Sequence, residues 1–306
     1  MPIITLPLLN SINNAVSTAF NSQLAMTESK WQKFCYETTS TGDASVYPRL
    51  DMLPGMREWF GERVISSLSA STFRVSNRTF EATIGINREQ IEDDQYGILT
   101  PAAQQLAKNA VNYYDILVAA MMKSGNATLS YDGAQNFFDV AHTNYAVSGG
   151  VVSQTTAPNY VAGSNPPWFL LDTTQILKPF VVQKRRPAVL TPKVSLSDDN
   201  VFFGKEFIWG VDFRGAVAPG IYQYAYMSQA TFNMANLVAA RNAMKAWARP
   251  DGIPMGVSPN LLVVPSVYAL QAAKYKTSEY DPLVTANLTP NLVQGQFDVL
   301  ENDYLN

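Results

Sequence analysis

Thr100-Pro101 opens the stretch that most constrains this 306-residue chain. Threonine is a good helix N-cap, and proline is tolerated at the first helical position, where its missing N–H has no partner to lose. The helix this predicts covers 101–123 and stops at Ser124-Gly125-Asn126. At 1.5 Å per residue, about 23 residues span about 35 Å, which is the width of a small domain. Leu106, Ala110, Tyr113, Leu117, Ala120 and Met121 form its buried stripe, so the rod is core scaffolding rather than a cofactor box.

The flanks divide by pattern. Over 11–34, Ile12, Val16, Phe20, Leu24, Trp31 and Phe34 fall near helical spacing, and such a helix needs another surface to cover its apolar face. Residues 37–45 are polar and are expected to form a flexible connection, which makes 1–47 an arm. The β-branched runs 72–75 and 79–86, joined by Ser76-Asn77-Arg78, predict a β-hairpin or a long two-stranded loop. Upstream of it, Arg57, Glu58, Glu62 and Arg63 surround Trp59 and Phe60, a composition suited to an apolar anchor with a wet rim between subunits.

Ser148-Gly149-Gly150 and Gly163-Ser164-Asn165-Pro166-Pro167 mark 144–167 as a long surface loop. Strand-like runs follow at Trp168–Leu171, 176–182 and 202–213. A second amphipathic helix begins after Thr231 and stops at Arg249-Pro250-Asp251-Gly252. Leu261–Val264 is a buried strand, and a helix runs from Ser266 to about Tyr275. The class is α+β, without an internal repeat or a domain-separating linker.

Composition narrows the function. Charged residues are only 15% of the chain, against roughly 25% in ordinary soluble domains, so much of the surface is expected to face protein. A net charge of −3 supplies no global field for nucleic acid. Cys35 and His142 are the only residues of their kinds, which excludes a disulfide within the chain, multi-cysteine metal sites and sites needing two imidazoles. No apolar run approaches 18 residues and no basic segment precedes an apolar one at Met1-Pro2-Ile3-Ile4, so the chain is expected to be made in the cytoplasm without entering a membrane.

No GxSxG, Gly-rich phosphate cradle or dinucleotide fingerprint is present. Two carboxylate clusters, Glu92-Asp93-Asp94 and Asp198-Asp199, suit either a hard cation and acid–base work or a solvated turn near a helix start. The basic run Lys184-Arg185-Arg186 suits phosphate contact, inter-subunit pairing with those carboxylates, or a solvated turn. His142 has Asp139 nearby in sequence but no assignable nucleophile; a structural, hydrogen-bonded imidazole is the simpler reading, as a buried apolar role is for Cys35.

Several segments, in order, resemble the Mu-type phage major head (capsid) subunit family. They are 57–63, 77–86 with Glu92-Asp93-Asp94, and 131–139 leading to His142. Lys178-Pro179-Phe180, 183–186, 198–202, Glu206-Phe207 and Gly210 continue the series. The likeness covers about three quarters of the chain, roughly 47–275.

The resemblance implies an HK97-type capsid fold. Its parts would be an N-terminal arm (1–47), an extended β-hairpin loop (48–88), a peripheral domain (89–190) with spine helix 101–123, an axial α/β domain (191–290) and a C-terminal return to the peripheral domain (291–306). It implies a shell of hexamers and pentamers of this chain around double-stranded DNA held by non-specific contacts. A portal and decoration proteins would join it, with no cofactor, no metal and no catalysis, in a virion assembled in the bacterial cytoplasm.

Some relatives crosslink through a lysine of the extended loop, but no lysine lies between Lys33 and Lys108 here, so no isopeptide chain-mail is expected from it. Fewer than 50 residues precede the likeness, which points to a separate scaffolding protein. The rival readings are an encapsulin-like compartment shell and, from another class, a metal-dependent hydrolase built on the carboxylates.

Overall fold

In the computed structural model, which describes residues 5–48, 72–92, 96–284 and 289–306, the long helix is present and runs Leu99–Ser124. Thr100 does not cap it. A 3-10 turn at Tyr96–Ile98 feeds straight into the helix and Ile98 takes the N-cap position, because Leu99 turns inward and is buried.

Along the chain the elements are α1 (Leu6–Met26), β1 (Cys35–Thr39), β2 (Ala44–Pro48), β3 (Thr72–Ser76), β4 (Arg78–Asn87), α2 (Arg88–Glu92) and α3 (Leu99–Ser124). Next come β5 (His142–Ser148), β6 (Val151–Ala157), β7 (Tyr160–Val161), β8 (Trp168–Leu171), β9 (Phe180–Lys193), α4 (Asp199–Gly204) and β10 (Glu206–Pro219). The last are β11 (Ala225–Ser228), α5 (Met234–Lys245), β12 (Leu261–Val264), α6 (Ser266–Thr277) and β13 (Asp298–Glu301).

Two sheets organise the molecule. The first has the order β1-β9-β10-β4. Period-2 alternation on β10 turns Phe207, Trp209 and Val211 toward the helices. Leu9, Val16 and Phe20 of α1 meet them there, with Leu99, Ala103, Leu106, Ala107 and Ala110 of α3. Trp209 Nε1 donates to Asn13 Oδ1 at 3.2 Å, fixing the register of α1 against the sheet. At Gly215 the sheet approaches α3 so closely that a Cβ would lie 2.3 Å from the Tyr114 hydroxyl and 2.6 Å from the Gln183 carbonyl oxygen.

The second sheet has the order β13-β12-β8-β11-β7. Strands β8, β11 and β12 are buried along their whole length, as strands covered on both faces are, and α5 and α6 pack against them. The lower half of α3, Tyr114, Val118, Met121 and Met122, belongs to this second core together with Phe137, Phe138, Tyr222 and Trp247.

The structure departs from the sequence expectations at identifiable places. Runs 72–75 and 79–86 do not form a hairpin together. A single residue, Asn77, separates β3 from β4, too few for a chain reversal, so β3 pairs with β2 and β4 with β10. The connection at 37–45 is occupied by β1, which pairs parallel with β9, and by the start of β2. The loop at 144–167 contains the hairpin β5–β6, whose two-residue turn needs Gly149 and Gly150 at φ of 58° and 79°. The helix anticipated over 11–34 ends at Met26, and the strand anticipated over 202–213 starts only after α4, with Lys205 in the left-handed region at φ 53°.

Strands are also not shared out in the contiguous blocks 89–190 and 191–290. The chain enters the second sheet at 160–171, returns to the first for the long pair β9–β10, and then goes back; its last strand, β13, lies beside β12. Three crossings between layers explain why no linker marks a boundary.

One buried carboxylate joins the arm to the spine. Asp115, 4% exposed on α3, accepts the backbone N–H of Trp31 at 2.7 Å and of Lys30 at 3.2 Å. Desolvation raises its pKa, opposed by those two N–H donors and by the Lys30 charge. Its folded value therefore lies above its unfolded one, so its contribution to stability is full below the ordinary aspartate range and is lost as pH rises through the raised value. Asp115→Ala strands both N–H groups, and roughly 2–4 kcal/mol of lost stability is expected. Asp115→Asn keeps an acceptor without a buried charge; its thermal midpoint should fall by less than half as much and should lose pH dependence from the aspartate range upward. Circular dichroism melts of the unassembled subunit across pH check both; equal losses for the two variants would refute the anchor.

Candidate assembly surfaces

The extended-loop residues singled out from sequence, Arg57, Glu58, Trp59, Phe60, Glu62 and Arg63, lie outside the described residues, as do Asp93 and Asp94. What the structure describes is the mount of that segment. β2 and β3 pair from Ala44↔Ser76 to Pro48↔Thr72, so residues 49–71 leave and re-enter at adjacent positions of a two-stranded stem.

A polar network seats the stem on the first sheet. Gln183 of β9, fully buried, donates through Nε2 to Asn77 Oδ1 at 2.7 Å. Asn77 Nδ2 in turn donates to Ser40 Oγ and to the Gly42 carbonyl, both at 3.0 Å. Arg214 Nη2 reaches Asp43 Oδ1 at 2.5 Å, and Val75 packs with Ala216 and Ala218. Buried amides with satisfied partners hold one geometry, because any other leaves a polar group unpaired. Sequence reasoning took Asn77 for a turn residue; its partners are remote in the chain, so no local signal marks the network.

The basic run lies on β9 and is engaged within the chain. Lys184 Nζ contacts Glu37 Oε1 at 2.9 Å and stands 5.0 Å over the Trp31 ring. Arg185 Nη1 donates to the Ser40 carbonyl at 3.1 Å, and Arg186 forms an ion pair with Asp212. Lys184 and Arg186 border a cavity of about 210 Å³ between β9 and α3, walled by Trp31, Tyr114 and Phe213. Glu37 and Asp212 were missed from sequence because neighbouring strands, not sequence neighbours, supply them.

The carboxylates proposed as partners sit elsewhere. Asp198 and Asp199 start α4, where Asp198 Oδ2 accepts the Ser195 N–H at 2.9 Å, and Glu92 is the last residue of α2. Within one copy the ion partners of the basic run are Glu37 and Asp212, not Asp198 or Asp199.

His142 is fully buried and stacks on Tyr222 at 3.9 Å between centroids, with Nε2 3.3 Å from the Phe137 carbonyl oxygen. Burial lowers its pKa, which favours the neutral ring. Burial likewise pushes the Cys35 thiol well above its usual value, with the Asp115 charge adding to the effect. Both groups serve packing. Among the described residues, no group of three or more His, Cys, Asp or Glu is placed to hold a metal ion, and no helix is long and apolar enough to cross a membrane.

The family described as Mu-like prophage major head subunit gpT matches residues 9–305. The major capsid protein of Escherichia phage Mu is 31% identical over 290 residues, covering 94% of each chain. The chain that forms the procapsid of bacteriophage JBD30 superposes with a TM-score of 0.82 at 33% identity, covering 98% of this chain and 100% of that one. The same phage's capsid decorated with minor capsid protein trimers gives 0.72 at 26% identity, covering 92% and 93%. With the two-sheet body and the spine helix that serves both cores, these likenesses fix the architecture as the HK97-type capsid fold, and the chain belongs to the Mu-like prophage major head subunit family, the major capsid proteins of tailed phages.

Proposed function

We propose that many copies of this chain close into an icosahedral head of hexamers and pentamers around double-stranded DNA, its role being mechanical rather than catalytic. The observation that carries this reading is the whole-length likeness to a procapsid subunit. The first sheet with α1 and α3 is then the peripheral body and the second sheet with α5 and α6 the axial one, the chain passing between them three times. Residues 49–71, including Trp59 and Phe60, reach a neighbouring copy from their stem. Assembly takes place in the host cytoplasm on a separate scaffolding protein, at a portal, and the finished shell accepts decoration proteins.

Size-exclusion chromatography with negative-stain electron microscopy, with and without a co-expressed scaffold, tests this. Hollow shells or rings of five and six subunits are expected. A 33.7-kDa monomer under every condition would overturn the reading.

The basic run is assigned here to holding β9 rather than DNA, because its three side chains already have partners within the chain. Lys184 and Glu37 remain about one third and two fifths exposed as side chains, so that pair is worth no more than about 1 kcal/mol. Replacing Lys184, Arg185 and Arg186 together by Gln should leave genome content and its salt tolerance unchanged while lowering the subunit's thermal midpoint by a few degrees. Genome loss that steepens with salt would reassign the run to phosphate contact.

A further inference from the structure

Helix α4 leaves two large aromatics in solvent. Phe202 is 73% and Phe203 81% exposed, stacked edge to face with centroids 4.9 Å apart, while the preceding Val201 is buried in the first core. Their mount is well held. Asn200 Nδ2 donates to the carbonyls of Lys193 at 3.0 Å and Glu206 at 2.6 Å, tying the end of β9 to the start of β10, and the Lys205 N–H closes on the Val201 carbonyl at 3.2 Å. An adjacent aromatic pair on a fixed support, left uncovered among the described residues, has the character of a docking knob.

The same end of the first sheet offers a receptor. A cavity of about 290 Å³ is walled by Ile84, Ile86, Ile98, Leu99, Ala102 and Trp209, where β4 and β10 meet the start of α3. The register Glu206↔Asn87 and Trp209↔Ile84 puts it at the end of β10 that follows α4. Apart from Gln90 its walls are apolar, it has room for an aromatic ring, and it shares no residue with the knob.

We propose that the Phe202–Phe203 pair of one copy seats in this cavity of an adjacent copy. The occupant is a second copy because the chain itself carries both complementary halves, and because the shell reading, on which this inference rests, surrounds each subunit with copies at contact distance. Knob and receptor lie on different residues, so each copy gives and receives at once, and the contact closes a ring or repeats reciprocally across a two-fold axis.

The test pairs assembly with a covalent readout. Phe203→Ala removes the more exposed ring and Ala102→Phe fills the cavity; each should raise at least tenfold the concentration at which shells form, with the monomer's thermal midpoint little changed. Chains carrying only Ala102→Cys are then co-assembled with chains carrying only Phe203→Cys and some wild-type chain. Mild oxidation should give a disulfide-linked dimer from the mixture and none from either variant alone, the native Cys35 being buried. Shells that yield no mixed dimer overturn the knob-and-cavity contact, as does unchanged assembly of both the Ala and Phe variants, and the shell reading survives either result. A wild-type chain that stays monomeric in the same conditions overturns both.

Discussion

One helix belongs to two cores, and the rest of the structure depends on that sharing. The first half of α3 is buried against α1 and β10, and its second half against the aromatics that underlie the second sheet. Separate helices for the two layers would let each core move on its own hinge. A single rod passes displacement of one sheet to the other, because packed interiors resist compression and α3 has no glycine or interior proline at which to bend. Asp115 lies close to the passage between the two cores, and its two accepted N–H bonds fix where the arm crosses the spine.

On that rigid frame, parts that reach outward are held by polar networks rather than by apolar burial. The stem of 49–71 rests on Gln183, Asn77 and Ser40, and the β5–β6 hairpin is tied through Asn144 to the backbone of Ala246 and Ala248. Hydrogen-bonded amides specify direction at little cost in apolar surface, which leaves exposed apolar side chains available for contacts between copies. The division suits a subunit that must meet several neighbours in slightly different settings: direction is set at the base of each projection while the body stays unchanged.

What was legible in the sequence follows from where the signal resides. The spine helix declared itself through Pro101, a helical stripe and Gly125, and β8 and β12 through short runs apolar on both faces. β1 was invisible because it is an edge strand that buries only Cys35 and pairs through its backbone, so Tyr-Glu-Thr-Thr carries no alternation. The β5–β6 hairpin hid for a related reason: most of its residues are exposed, and Gly149-Gly150 read as a loop although it is the turn itself. The ordered likeness over 47–275 carried fold and function, but the assembly residues were legible only in part. Glu37, Asp212 and Gln183 acquire their roles from strand neighbours remote in sequence, and Phe202 and Phe203 looked like the start of a strand, where the structure has α4 turning them outward.

The absence of lysine between Lys33 and Lys108 gives these contacts their weight. Without a lysine, that segment cannot supply the amine of an isopeptide bond, and contacts made by burial then matter the more for cohesion between copies. At 15% charged residues the surface has few ions to desolvate when copies meet, and each apolar area covered returns roughly 25 cal/mol per Å². The exposed apolar residues are not gathered on one element: Ile176, Phe202, Phe203, Leu270 and Leu292 belong to different segments of the chain. Several modest contacts in different directions favour a closed lattice over a single sticky face, because each one alone is weak enough to reopen when a subunit joins in the wrong register. Only a correctly placed copy satisfies all of them, so their strength is cooperative.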